Sequence, residues 1–475
     1  MEQLNNSNPY FIKNTLFLSH SISTRGGGGG GRGGGGGGGS HSSGSSFGSH
    51  SSSYGGSSNS SNSSSGSGGF GNIGFIIVII IIYLIYKALT KKSKSNSDDS
   101  INNFYDDTSS TDKDLPEGLT IQKIQSSFMN VQTAWQKKDL KDIRSWISDG
   151  VYQRYAVQFN IMNKLSQVNN LSNINISNIS VLSTSQQGEY TTADVAISFE
   201  MDDYFVSEKY PVFNQSYDGD YGREIWTYIK RSDAKSTNDL YNSDNCPSCG
   251  APLEIKMGEI SRCGHCNTLT NNASFDWVLS EITQEEDYDY TTNSFLNNEE
   301  FLNLMKKDSL FSVQRMEDLA SNIFMQVMDV YSGGDQNKLS RFANKALIER
   351  IIDDKNQQSN YLFNRLYLNN VTLSDFEIDD KEIHLEFSLK ATYQKVQINP
   401  KLVMLDDEMT EYDYVLKLSK NLTALQTPEK ETVYSYECGN CGAPYGDTSN
   451  DTCNYCGATV VDLNHNWVLT DFSIV

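Results

Sequence analysis

Apolar positions three and four residues apart mark the first regular element after a long polar start. Ile121, Ile124, Phe128, Val131 and Trp135 form one stripe at the period of an amphipathic helix. The stripe returns at Leu319, Ile323, Phe324, Val327 and Tyr331. Around the two, Trp135-Gln-Lys-Lys-Asp139 aligns with Tyr331-Ser-Gly-Gly-Asp335, and Ile143 and Trp146 align with Leu339 and Phe342. The chain therefore carries an internal repeat. Aromatic residues at that spacing read as core, and no ligand is assigned to them.

After each helix the period changes to two. Ile225, Thr227 and Ile229 alternate with Trp226, Tyr228 and Lys230, as in a sheet with two unlike faces. Strands are expected over Ala193 to Met201 and Glu224 to Arg231 in the first copy. In the second they fall over Glu382 to Lys390 and Tyr412 to Lys420. A last strand closes each copy, at Phe275-Asp-Trp277-Val-Leu279 and at Asn466-Trp467-Val-Leu469. Helices first and then an antiparallel sheet is the order of an α+β fold.

The longest apolar run lies upstream of both copies. Phe70 to Leu89 contains an unbroken series from Ile76 to Ile82 and only Lys87 near its end. About 20 such residues span a bilayer as a helix. Lys87, Lys91, Lys92 and Lys94 follow it, and no charge stands close before it. The positive-inside rule then predicts a single-pass cell-membrane protein with the bulk of the chain cytoplasmic. Residues 26–69 are almost wholly Gly and Ser, a composition too poor in apolar surface to order itself. Phe11 to Leu18 is too short and polar to be more than a degenerate signal peptide.

Between the last two strands of each copy stand the cysteines. Cys246-Pro-Ser-Cys249-Gly-Ala-Pro is answered by Cys263-Gly-His-Cys266, and Cys438-Gly-Asn-Cys441-Gly-Ala-Pro by Cys453-Asn-Tyr-Cys456. All 8 cysteines are used. Two Cys-x-x-Cys turns supply the four thiolates of a closed tetrahedral metal site, and zinc is the metal expected, two structural ions per chain. Disulfides or a redox pair fit four half-sites poorly, since redox motifs come singly beside a βαβ unit. Gly250, Gly442 and Gly457 follow the second cysteine of a turn, where a positive φ lets the chain leave. Pro247, Ser248, His265, Asn440 and Tyr455 are expected at exposed ribbon tips.

Charge narrows the function. The net charge is -21; residues 1–94 carry seven basic groups against one acidic, so the remainder carries -27. That balance opposes nucleic-acid binding, which needs a basic face. The expected organisation is a tail over 1–69, a transmembrane helix over 70–90 and an acidic linker over 91–117. The first module covers 118–284 with its ribbon at 245–268. A linker over 285–300 leads to the second module, 301–475, with its ribbon at 437–459.

The pattern Phe128-x-x-Val131-Gln132-x-Ala134-Trp135-x-x-x-Asp139, with Trp146-Ile-Ser148 and Tyr152, resembles the start of a Tim-44-like domain. Bacterial members share the Gly/Ser-rich amino terminus and single membrane helix. The resemblance, carried by 118–284 and extended to the second copy through its internal similarity, implies a cone-shaped fold like nuclear transport factor two, with helices over a bent sheet enclosing a pocket, and binding of protein or lipid at a membrane without catalysis. The two copies and the ribbons depart from that family. A non-enzymatic, membrane-anchored scaffold is thus expected, with an enzyme or small-ligand binder using the cone pocket as the alternative. Asp194, Glu200, Glu386 and His384 are the strand residues an enzyme could use, with Ala196 standing where His384 would be in the first copy.

Overall fold

The computed structural model describes residues 22–23, 31–32, 109–234, 239–253, 261–290, 298–308, 310–357, 360–426, 438, 440–443 and 452–475. The expected membrane span over 70–90 lies outside them, as does the Gly/Ser tail apart from a pairing of Ile22–Ser23 with Gly31–Arg32. Among the described residues no helix is long and apolar enough to cross a membrane.

The two halves repeat one order of elements. The first runs α1 (Ile121–Lys137), α2 (Asp149–Lys164), β1 (Gln167–Gln187), β2 (Tyr190–Ser207), β3 (Gln215–Arg231) and β4 (Val278–Gln284). The second opens with an additional helix, α3 (Glu299–Lys307). It then runs α4 (Val313–Tyr331), α5 (Lys345–Gln357), β5 (Tyr361–Ile378), β6 (Glu382–Ile398), β7 (Leu402–Met404), β8 (Thr410–Asn421) and β9 (Val468–Ile474). Each half forms its own antiparallel sheet, in the order β1-β2-β3-β4 and β5-β6-β8-β9, with β7 paired to β6. The parallel bridges Ile147↔Leu279 and Ala343↔Leu469 recur at matching places. The fold is α+β.

The local reasons for these elements are simple. Thr120 caps α1 by accepting the Lys123 N–H, and Lys138 ends it at φ 52. Ser312 caps α4 through Arg315 N. The predicted stripe of α1 is the buried one at Ile124, Phe128, Val131 and Trp135: Phe128 meets Phe199 of β2 and Trp226 of β3, and Trp135 packs on Tyr155 and Phe159 of α2 and donates to Asn169 of β1. Residues 109–117, at the end of the acidic stretch, are bonded to β1 through Ser110 N→Ile179 O at 2.9 Å and bury Leu115.

The halves also pack on each other. Helix α2 is buried on nearly every side, because its outer face receives α4 of the second half. Val157, Ile161 and Leu165 join the apolar cluster of the second half. Arg154 reaches Ser321 Oγ at 2.8 Å, and Gln167 Nε2 reaches Asn364 Oδ1 at 2.7 Å. Gly150 marks the closest approach, since a Cβ there would stand 2.7 Å from the Asp318 carbonyl oxygen.

The same face of the second half is finished differently. The bridges align Ile147 with Ala343, so Gly150, Val157 and Ile161 correspond to Ala346, Asp353 and Gln357, all exposed. Arg154 bonds Glu281 and the Ile282 carbonyl; its counterpart Arg350 bonds Asp471 and the Phe472 carbonyl, in solvent. A third repeat could not seat there in the same way.

Gly→Ala inside a helix ordinarily stabilises by about 0.5–1 kcal/mol. Gly150→Ala is expected to reverse that sign, costing on the order of 1–3 kcal/mol as an overpacked contact. Thermal unfolding of the variant checks this, against Ala346→Gly, which should cost only the ordinary propensity difference.

Candidate metal centres

Each ribbon is two tight turns facing one another. Cys246 N bonds Ala251 O at 2.7 Å and Gly250 N bonds Cys246 O at 2.9 Å. Cys263 N–Thr268 O and Asn267 N–Cys263 O repeat the turn at 2.9 and 3.0 Å. The second ribbon copies both, with Gly442 N–Cys438 O and Gly457 N–Cys453 O at 2.8 Å. The residue after the second cysteine has positive φ in all four turns: Gly250 at 74°, Gly442 at 71°, Gly457 at 71° and Asn267 at 60°. Asparagine is the side chain that best tolerates that region, so the fourth turn needs no glycine.

The turns bring the eight predicted cysteines together as two sets of four. Within each set the sulfurs all lie within 4.8 Å, and none is in a disulfide. Cys246–Cys266 and Cys249–Cys263 are separated by 3.6 and 3.8 Å, and Cys438–Cys456 and Cys441–Cys453 by 3.6 and 3.7 Å. A tetrahedral ion with sulfur at about 2.3 Å needs edges of about 3.8 Å. The geometry fits such an ion.

Second-layer donors point at the sulfurs. The His265 and Tyr455 N–H groups each stand 3.4 Å from Cys263 Sγ and Cys453 Sγ, and Asn440 Nδ2 stands 3.6 Å from Cys456 Sγ. The Thr268 hydroxyl, 3.2 Å from Cys266 Sγ, and its backbone N–H draw that thiol down to about 6. Burial pushes Cys246 up to about 12. A divalent cation would supply the charge that lets all four ionise.

Both ribbons are rooted in their modules. Tyr241 stacks on Trp146 with centroids 4.5 Å apart and donates its hydroxyl to Trp277 O at 2.9 Å. Asp276 takes Lys123 Nζ of α1 at 2.8 Å, and Asn271 Nδ2 bonds Asp149 Oδ1 of α2 at 2.9 Å, so the chain leaving the first ribbon is fixed to both helices. In the second, Asn421 N bonds Leu463 O at 2.9 Å and Asn466 Nδ2 bonds Val460 O at 3.1 Å. At the tips Ser248, His265 and Asn440 are exposed, and Tyr455 is 75 % exposed. Pro247 is buried, contrary to its expected place at a tip, because it follows the inward-turned Cys246.

The strand acids do not converge. Asp194 accepts from Thr227 Oγ1 at 2.7 Å, Glu386 holds Lys417 at 2.7 Å, and His384 Nδ1 meets Ser419 Oγ at 2.7 Å. Glu200 is exposed on β2. The pairing also corrects the alignment of His384. It lies opposite Ser419, which pairs with Val468; Thr192 lies opposite Ile229, which pairs with Val278. Thr192, not Ala196, is the counterpart.

An α+β module with two helices, a four-stranded antiparallel sheet and a four-cysteine ribbon before the last strand is what the chain presents twice. The family model of the Tim44-like domain matches residues 105–237, a stretch that runs to just past the end of β3. The match stops before the first ribbon. No curated protein and no solved structure matches the chain.

Changing Cys249 to Ser should remove one metal ion per chain and leave the other, and Cys441→Ser should do the converse. Elemental analysis of the purified variants beside the parent checks the count and the metal.

Proposed function

We propose that this protein is a membrane-anchored, non-enzymatic binding protein whose two Tim44-like modules engage a protein partner at the membrane surface. Each four-cysteine set holds one structural zinc in this reading, and the second half is a second module of the same family. Both modules then have the cone shape of nuclear transport factor two, helices over one face of a bent sheet. The observation that carries the reading is the seating of α4 on α2, which makes the halves one body with two rooted ribbons. A closed four-sulfur site leaves no open position for catalysis. The Lys-flanked apolar run over 70–90 supplies the anchor and puts the modules on the cytoplasmic side.

The docking surface we assign is the pair of ribbon tips, where Tyr455 presents an aromatic ring to solvent. Affinity capture with the full chain in detergent identifies the partner. His265→Ala with Tyr455→Ala should keep the zinc content and melting temperature while reducing capture at least tenfold. Capture equal to the parent's would move recognition to the helix faces or cone interiors. Protease added to intact cells should spare residues 95–475, and their digestion would reverse the orientation.

One observation favours the alternative of a small ligand inside the first module. Gln132 and Tyr155 are fully buried, and among the described residues neither amide atom of Gln132 nor the Tyr155 hydroxyl has a hydrogen-bond partner. Ser127 meets Tyr228 and Phe128 meets Trp226, so Gln132, one turn on from Phe128, lies on the same side of α1. The counterparts of Gln132 and Tyr155 in the second half are Met328 and Ile351, both apolar and buried. Gln132→Met should stabilise the module if that space is empty, and should abolish binding if a polar molecule fills it. Native mass spectrometry with thermal unfolding separates the two.

A further inference from the structure

Where α4 seats on the first module, three carboxyls stand in the interface, Glu281 buried and Glu317 and Asp318 half-buried. Asp318 Oδ1 accepts the Ser148 hydroxyl at 2.5 Å and the Gly150 N–H at 3.1 Å, capping α2 from the other module. Glu317, beside it, accepts the Leu373 N–H at 3.0 Å from β5. Glu281 reaches the same interface from β4 and is bonded by Arg154 of α2, at 2.5 Å from Nη2 to Oε2. Arg154 also turns its Nε to Ser321.

The charges facing this group are mostly negative. Asp149 stands near Asp318 from α2 and is held by Arg144 at 2.6 Å. Glu281 from β4, Asp194 from β2 and Asp289 from the segment after β4 all act on Glu317 as like charges. Arg154 is the cation that acts on Asp318, and it is already bonded to Glu281. Two further carboxylates half-buried beside such a pair would lose much of their hydration with no cation of their own to offset the loss.

We propose that seating of the second module on the first is proton-dependent: Glu317 and Asp318 are protonated when α4 lies against α2 and β4, and release their protons when the seat opens. Each carboxyl takes one proton from solvent on closing and returns it on opening, with no other bond made or broken. A protonated Asp318 keeps Oδ1 free to accept from Ser148 and Gly150, and carries the hydrogen on Oδ2. The neutral pair also removes the repulsion from Glu281 and Asp149.

Burial is the first cause acting on both groups, raising Glu317 from an ordinary 4.5 to about 8 and Asp318 from 3.8 to about 7. Both are raised, so the closed form binds more protons than the open one. Closure is then most favourable in acid, weakens as pH climbs from about 4, and levels off above about 8. Between pH 6 and 9 the zinc-loaded full chain passes from the sloping part of this dependence onto its plateau.

Infrared spectroscopy of the full chain should show the carbonyl stretch of protonated carboxyls at pH 6, lost by pH 9. Glu317→Gln and Asp318→Asn, which keep the acceptor oxygens, should each remove part of that band. Each should also flatten by at least half the fall in melting temperature across the same range. No titrating band in the parent overturns the proposal. So does a band, or a pH slope of melting, that both variants leave unchanged. Should Asp318→Asn fail to fold, the parent's band and Glu317→Gln decide the matter alone.

Discussion

Each sheet is closed by an edge strand that arrives late. Strand β3 ends at Arg231 and its partner β4 begins at Val278; β8 ends at Asn421 and β9 begins at Val468. A seven-residue strand at the end of so long an excursion gains little pairing against the entropy of closing the loop. The four-sulfur turns shorten that excursion. A metal held in such a site contributes on the order of 10 kcal/mol to folding in isolated zinc modules. Tyr241 and Trp277, packed beneath the first ribbon, pass the constraint on to the strand.

The last strand matters beyond its own sheet. Strand β4 supplies Glu281 to Arg154 and Ser280 Oγ to Gln314 Nε2 of α4, so the module interface rests on it. Strand β9 carries the corresponding Asp471–Arg350 pair, but in the open. One architecture thus yields an inner face that accepts a neighbour and an outer face that meets water. The difference lies in few residues. Gly150, Val157 and Ile161 make the first, and Ala346, Asp353 and Gln357 make the second. Repeat proteins end their stacks with polar faces for the same reason.

How much was legible in the sequence follows from where burial is one-sided. The stripe of α1 and its repeat in α4 could be read because one face of each meets a sheet, and all eight cysteines because ligand spacing needs no tertiary context. The strands read from alternation lie inside β2, β3, β6 and β8. Helix α2 could not be read, since packing between two modules buries it almost all round and erases the amphipathic period. Strand β1 was hidden by its asparagines (Asn169, Asn170, Asn173, Asn175, Asn178), poor strand formers, and by three register shifts that break the alternation. Strand β5 shifts register three times as well. The carboxyl group of Glu281, Glu317 and Asp318 is assembled from β4 and α4 across the module boundary, and local sequence carries no sign of it.

Removal of metal puts the central claim to its most direct test. Hydrogen exchange of the full chain should be followed before and after a chelator strips the ions at constant pH. If the ribbons hold the edge strands, protection should fall by at least a hundredfold over 278–284 and 468–474 while α1 and α4 keep theirs to within about tenfold. Unchanged protection at both strands in the metal-free chain would contradict the account.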